Sequence, residues 1–172
     1  VYTRDGRVTS ADVDMGRAVL DAAAVPCTLP YARAIGVPAV IGDREYAVTC
    51  VSMGNPHCVV FTDSVDALDL DTLGPQFENA PVFPERVNAE FVRVVNRTTL
   101  RMRCYERGNG ETMACGTGAC AAVVAAVENG LCEKDTDVNV YVKGGLLVVR
   151  YADEGVTLAG NAELVFEGVV EV

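Results

Sequence analysis

The feature that most constrains the fold is the run of residues 119–127, in which every residue is alanine, valine or cysteine. A helix of this composition is apolar on all sides, and such a helix belongs in the middle of a core rather than on a surface. Glu128 and Asn129 restore polarity after the run, and Gly130 is the residue expected just past a helix end. The run therefore predicts a central buried helix around which the rest of the chain is arranged.

Cys115 lies immediately before this helix and is followed by the triplet Gly116, Thr117 and Gly118. The first turn of a helix presents unpaired N–H groups and the positive end of the helix dipole. Glycines at that point let an anion approach the backbone, which predicts a seat for a carboxylate or phosphate. A thiolate is also stabilised there, so we expect the pKa of Cys115 to lie below the free value of ~8.5.

The alternative for Cys115 is a small buried structural cysteine in a glycine-rich turn, which is the commoner fate of cysteines. The flanking glycines and the preceding pair Glu106 and Arg107 favour the reactive thiol. Arg107 can clamp a carboxylate with two hydrogen bonds, and Glu106 can tune a nearby thiol. A surface ion pair at a strand end is the alternative for these two residues.

The remaining chain predicts many short strands and one further helix. A hairpin is expected over residues 1–13, a loop over 20–36, and a helix over 69–78 with Asp69 as its cap. Strands are expected at 37–41, 46–53, 57–62, 88–95, 98–105, 138–143, 146–151, 156–159 and 162–170. The pattern predicts an α+β fold, in which an antiparallel sheet curls around one buried apolar helix.

Charge and cysteine content restrict the partners that are expected. The net charge of -10 argues against nucleic acid or an anionic membrane as a partner, and no apolar run is long enough to span a bilayer. The seven cysteines lack the paired C-x-x-C spacing of zinc sites, and the chain has a single histidine, so no metal is expected. We expect reduced thiols in a cytoplasmic protein without a signal peptide. Because the chain begins with Val1, it is expected to be a piece of something longer.

Three segments resemble the motifs of diaminopimelate epimerases, which are cofactor-independent amino-acid epimerases. Residues 106–120 read Glu-Arg-Gly-Asn-Gly-Glu-Thr-Met-Ala-Cys-Gly-Thr-Gly-Ala-Cys, residues 53–59 read Met-Gly-Asn-Pro-His-Cys-Val, and residues 85–91 read Glu-Arg-Val-Asn-Ala-Glu-Phe. The three motifs occur in order, and the resemblance extends along nearly all of the chain. It implies a half-barrel fold and interconversion of LL- and meso-2,6-diaminopimelate in lysine and peptidoglycan precursor biosynthesis.

The resemblance also implies roles for individual residues. Two cysteines flank the substrate α-carbon in this family, and Cys115 matches the second of them. The implied catalytic residues are Cys115, Glu106 and His57, of which the matching histidine lies beside the active-site thiols. The implied substrate-binding residues are Asn55, Asn88, Glu106, Arg107, Gly116 and Thr117. From sequence alone Asn55 and Asn88 could be turn amides, and His57 a histidine at a strand end.

The first cysteine of the family, in a Cys-Gly-Asn motif, has no match here, because Cys115 alone is followed by glycine. We therefore expect residues 15–160 to form the C-terminal epimerase domain. Residues 1–14 are expected to be a hairpin remnant of a missing N-terminal half, and residues 161–172 a closing strand that belongs to that half's sheet. The expected partners are diaminopimelate, the missing half and a second copy in a homodimer, and the chain alone is expected to be inactive.

Other functions remain open at this point. A racemase half that acts on another amino acid, such as proline, is the nearest alternative. A single-thiol acyl-transfer enzyme would use Cys115 as nucleophile and His57 as base. A non-catalytic carboxylate-binding module would use the helix N-terminus without the thiol.

Overall fold

The computed structural model describes residues 1–171 and contains a single large sheet with two α-helices. The strands are β1 (Tyr2–Arg4), β2 (Arg7–Asp14), β3 (Val37–Ile41), β4 (Arg44–Ser52), β5 (Pro56–Phe61), β6 (Asn88–Asn96), β7 (Thr99–Glu106), β8 (Gly110–Thr112), β9 (Asp137–Val142), β10 (Gly145–Tyr151) and β11 (Val156–Asn161). The helices are α1 (Leu70–Glu78) and α2 (Gly116–Glu128), and a 3-10 turn covers Val65–Ala67.

The sheet has the strand order β1-β2-β11-β10-β9-β7-β6-β5-β4-β3, with β8 added beside β7. Most neighbours are antiparallel, but β5 with β6 and β7 with β9 are parallel pairs. The predicted α+β class is confirmed, and the predicted antiparallel pairing holds except at these two pairs. Each parallel pair is joined by a crossover that contains a helix, as parallel strands require: α1 lies between β5 and β6, and α2 between β7 and β9.

Helix α2 lies in the concave side of the curled sheet, as its composition predicts. It contacts strands β4 to β7, β10 and β11, and its residues from Gly118 to Ala126 are all buried. The small side chains let the strands approach closely on every side. Gly130 ends the helix with a φ of 72°, a left-handed conformation that glycine adopts without strain.

Helix α1 covers the opposite face of the sheet and forms a second core that the sequence analysis did not separate from the first. Asp69 caps α1 by accepting a hydrogen bond from the backbone N–H of Thr72, as predicted. The ring of Phe77 packs edge-on against Tyr46 and Phe91, with centroid distances of 4.9 and 5.1 Å. Residues 48–51 of β4, 56–60 of β5 and 88–92 of β6 are therefore buried on both faces.

Two details of the predicted strands are wrong. Strand β8 was not expected, and residues 162–170 form no strand: the described part of this segment has no regular structure, and Leu164, Val165, Phe166, Val169 and Val170 are exposed. An extended apolar segment needs a neighbouring strand to become part of a sheet, and among residues 1–171 this segment has only the backbone hydrogen bond from Ala162 to Thr9. Residue 172 of the expected closing strand lies outside the described residues. None of the helices within residues 1–171 has the length and apolarity needed to cross a membrane.

Candidate active site at the start of the central helix

Cys115 is the N-cap of α2 and places its thiol at the positive end of the helix. Its backbone is extended, with φ -131° and ψ 109°, and its Sγ accepts a hydrogen bond from the N–H of Gly118 at 3.3 Å. The hydroxyl of Thr117 lies 3.5 Å from the same sulfur atom. Only 7% of the residue's surface is exposed. The thiol is therefore held by the first helical turn in the geometry of an N-cap.

The expected low pKa of Cys115 is wrong for this structure. Burial is the largest influence, and together with the nearby carboxylates of Glu90 and Glu106 it raises the pKa of the thiol from 9.0 to about 11. Hydrogen bonds from Thr117 and Gly118 act in the opposite direction and are outweighed. The hydrogen bonds at the helix N-terminus thus reduce the rise in the pKa of Cys115, but burial has the larger effect. At neutral pH the group is a protonated thiol, which is the form that can donate a proton.

Behind the thiol, a chain of hydrogen bonds connects α2 to two buried strands. The side-chain amide of Asn55 donates from Nδ2 to Thr117 Oγ1 at 3.2 Å, and its Oδ1 lies 2.9 Å from His57 Nε2. His57 Nδ1 lies 2.7 Å from Glu90 Oε1, and the side chains of both residues are fully buried. A Cβ added to Gly118 would come within 2.7 Å of Glu90 Oε1 and 3.1 Å of Cys115 Sγ. The carboxylate therefore touches the first turn of α2.

Strand register explains why these side chains meet. In the parallel pair of β5 and β6, His57 is opposite Asn88 and Val59 is opposite Glu90. Alternate residues of a strand point to the same face, so all four side chains point toward α2. Glu90 was not among the predicted site residues. Its signal was a polar residue two positions after Asn88 in the otherwise apolar first half of β6, where an alternation of polar residues marks one face.

Asn88 and Arg107 are joined in a second group of contacts next to the first. Asn88 donates to the carbonyl of Pro56 and accepts from the backbone N–H of Arg107, both at 2.9 Å. The exposed guanidinium of Arg107 donates to the carbonyl of Glu85 at 3.0 Å. Asn88 thus fixes the start of the loop that carries Arg107. Both the nitrogen and the oxygen of its amide bond to the backbone.

Glu106 lies at the end of β7, half-buried, and accepts a hydrogen bond from the Thr112 hydroxyl. The same hydroxyl lies 3.2 Å from the sulfur of Cys104. Strand β8 therefore holds Thr112 against the carboxylate of Glu106. Of the residues predicted for the site, the structure links Asn55, His57, Thr117 and Cys115 in one hydrogen-bonded chain. It places Gly116 beside them and joins Asn88 to Arg107 one strand away.

The thiol and its neighbours can hold and transfer a proton next to an anion. The N–H groups at the start of α2 can bind a carboxylate, and the Cys115 thiol beside them can donate a proton. A cleft of about 460 Å³ lies elsewhere, lined by Asp66, Arg101 and Arg103 among others, whose charges are paired with one another or with Glu111. No cluster of three or more histidine, cysteine or acidic side chains within residues 1–171 could hold a metal ion. All seven cysteines are free thiols.

Comparison with known proteins identifies relatives of the whole arrangement. Residues 49–165, more than half of the chain, match the family described as diaminopimelate epimerase. A diaminopimelate epimerase from Cyanothece sp. is 51% identical over 96% of this chain, and one from Thermosynechococcus vestitus is 49% identical over 96%. The chain spans only 59% of the length of each of these relatives.

Solved structures support the fold independently of close sequence similarity. A hydroxyproline epimerase from Agrobacterium vitis, crystallised with bound trans-4-hydroxy-L-proline, superposes with a TM-score of 0.66. The match covers 92% of this chain and 51% of that one, at 13% sequence identity. At this identity the likeness concerns the fold alone.

Proposed function

This chain belongs to the diaminopimelate epimerase family, and we propose that it provides the C-terminal half of an enzyme that interconverts LL- and meso-2,6-diaminopimelate. The observation that carries the proposal is the protonated Cys115 thiol at the N-cap of α2, beside the N–H groups of the first helical turn and within a segment that matches the family. In this role Cys115 gives a proton to one face of the α-carbon or removes one from it.

The reaction requires an acid and a base on opposite faces of the α-carbon, because the proton leaves one face and another arrives at the opposite one. Cys115 supplies one of these groups. The second group is the cysteine of the N-terminal half, and this chain has no residue that matches that cysteine. No cofactor takes part in the proposed mechanism, so the charge that develops near the α-carboxylate must be stabilised by hydrogen bonds. The N–H groups at Gly116 and Thr117 are suited to this purpose.

The neighbouring polar residues are proposed to recognise the non-reacting end of the substrate. Asn55 keeps one amide proton beyond its bond to Thr117, and it lies beside the thiol loop. The exposed guanidinium of Arg107 is available for a carboxylate. Asn88 contributes through its hold on the backbone of Arg107, and Glu106 tunes the thiol from the end of β7.

The N-terminal half is the main proposed partner, and residues 1–14 and 161–172 are proposed to pack with it. Support comes from the exposed hairpin strand β1 and from five exposed apolar side chains between Leu164 and Val170. Two copies of the completed enzyme would form a homodimer. The free thiols fit a cytoplasmic location.

A complementation experiment tests the proposal. The chain is mixed with a separately expressed N-terminal half from a related diaminopimelate epimerase, and deuterium wash-in at the α-carbon of LL-diaminopimelate is followed. We expect exchange that requires both pieces and is abolished by Cys115→Ala. The matched control is Cys120→Ala, which removes a buried thiol from the same helix and should retain exchange.

Two results would contradict the proposal. Exchange that persists in the Cys115→Ala variant would remove the thiol from the mechanism. A folded complex that binds diaminopimelate but exchanges no deuterium would instead favour a carboxylate-binding module.

A further inference from the structure

Glu90 is a buried carboxylate that the proposed reaction does not use. Its side chain is fully buried on β6, and the structure gives it one hydrogen-bond partner, the Nδ1 atom of His57 at 2.7 Å. The second oxygen, Oε2, has no hydrogen-bond partner among residues 1–171. Burying a carboxylate oxygen without a hydrogen-bond partner destabilises the folded protein, and an apolar side chain at this position would avoid that penalty. The residue therefore calls for a functional explanation.

The orientation of the Asn55 amide in the structure implies where the protons of His57 lie. Its Nε2 atom faces the Oδ1 atom of Asn55 at 2.9 Å, and an amide oxygen can only accept, so Nε2 carries a proton. Its Nδ1 atom lies 2.7 Å from a carboxylate oxygen of Glu90, a separation that requires a second proton between the two atoms. His57 and Glu90 together therefore hold a proton on Nε2 and share another.

The amide of Asn55 depends on this arrangement. Without the shared proton, Nδ1–H would donate to the carboxylate of Glu90 and Nε2 would become an acceptor. Asn55 would then have to turn its NH₂ group toward His57 and its oxygen toward Thr117. The Thr117 hydroxyl permits either orientation, because it can both donate and accept. Which end of the Asn55 amide faces α2 is thus decided at His57.

We propose that Glu90 is a positioning residue: through the proton it shares with His57, it fixes the orientation of the Asn55 amide beside the Cys115 loop. The consequence for the reaction rests on the proposed function, in which Asn55 contacts the substrate. An amide turned the wrong way would present an acceptor where a donor is needed, and the substrate would bind less tightly.

The single histidine of the chain makes the proton positions directly measurable. Imidazole nitrogen NMR of the ¹⁵N-labelled full chain reports which nitrogen of His57 is protonated. In the wild type we expect Nε2 to be protonated in all molecules. Glu90→Gln should keep this state, because the glutamine NH₂ group can donate to an unprotonated Nδ1. Glu90→Leu removes the partner of Nδ1, and we expect a mixture of the two neutral tautomers.

One variant serves as a control, and two results would contradict the proposal. Glu78→Leu removes another buried carboxylate, on α1, that does not contact His57, and it should leave the imidazole signals unchanged. A Glu90→Leu variant with Nε2 protonated in every molecule would overturn the proposal. If that variant does not fold, the Glu90→Gln variant is the test. A His57 ring protonated on Nδ1 and unprotonated on Nε2 in that variant would contradict the proposal.

Catalysis gives a second readout in the complemented enzyme. Glu90→Leu should raise KM for diaminopimelate on the order of tenfold or more, with a smaller effect on kcat, and Glu90→Gln should restore most of the loss. Equal loss in both variants would contradict positioning through a neutral hydrogen bond. If the wild-type complex shows no exchange, the proposed function fails, while the NMR result still decides the role of Glu90.

Discussion

The two faces of strands β5 and β6 are built by alternate residues of the same short segments, yet they differ completely in chemistry. Toward α1 the strands present Cys58, Ala89 and Phe91, which pack in an apolar core. Toward α2 they present His57 and Glu90, whose side chains are just as deeply buried but lie in a hydrogen-bonded chain. The side chains are therefore equally buried on both faces. The faces differ in whether the buried groups need hydrogen-bond partners.

This difference shows how a site can be recognised within a core. An apolar contact is non-directional, so the α1 face needs only volume and shape. A buried polar group needs a partner at a fixed distance and angle, so each polar residue on the α2 face determines the position of the next. A strand buried on both sides normally reads as continuously apolar. The polar exceptions in the buried half of β6, Asn88 and Glu90, mark the face that we propose to be functional.

The largest expected effect on stability lies on the α1 face. Phe77→Ala removes a fully buried ring that packs against Tyr46 and Phe91, and it should lower the free energy of unfolding by about 3–5 kcal/mol. Urea unfolding measures this loss. In the protein that remains folded, the alkylation rate of Cys115 should equal that of the wild type. A changed rate at equal folded fraction would show that the two faces are coupled.

Cys115 on the α2 face should contribute to the pH dependence of stability. The pKa of Cys115 rises from 9.0 to about 11 on folding, so the unfolded chain releases the thiol proton first. Stability due to this thiol is complete below pH 9 and is lost as the pH rises toward 11, by about 2.7 kcal/mol. In urea unfolding, the free energy of unfolding of the wild type should therefore fall relative to that of Cys115→Ala over this range. Parallel curves from pH 8 to 11 would contradict the raised pKa.

A pair of glycines gives a smaller and sharper contrast. Gly74 on α1 lies against the Tyr105 ring, where an added Cβ would be 2.1 Å from a ring carbon, and Gly118 on α2 lies against Glu90 and Cys115. Each change to alanine should cost about 1–3 kcal/mol through overpacking. Only Gly118→Ala should also alter the alkylation rate of Cys115. The folded protein is alkylated, and the peptide that contains Cys115 is then analysed by mass spectrometry. An equal change in Gly74→Ala would remove the distinction between the faces.

The sequence predicts those features that depend on local patterns. The central helix follows from a run with no polar residue, and the cap at Asp69 and the end at Gly130 follow from single residues. The position of Cys115 at a helix start is equally local. Most strand bounds follow from turn residues and alternation, and the class α+β follows from their sum.

Features that depend on long-range pairing could not be read in this way. The parallel pairs arise from crossovers, and the role of α1 as the cover of a second core depends on which face each strand turns toward it. The pKa of Cys115 was predicted in the wrong direction because the helix N-terminus is visible in sequence, whereas burial and the approach of Glu90 are not. Glu90 itself lies 25 positions from Cys115 and meets it through the register of β5 and β6.

Mapping the bound substrate by NMR tests most directly the claim that the α2 face is the site and the α1 face is the core. The ¹⁵N-labelled chain, complemented with an unlabelled N-terminal half, is titrated with meso-diaminopimelate while the backbone amide signals are followed. We predict the largest shifts at Gly116, Thr117 and Gly118, and small shifts at Phe77 and Ala89. Largest shifts on the α1 face, or in the cleft lined by Arg101 and Arg103, would contradict the account.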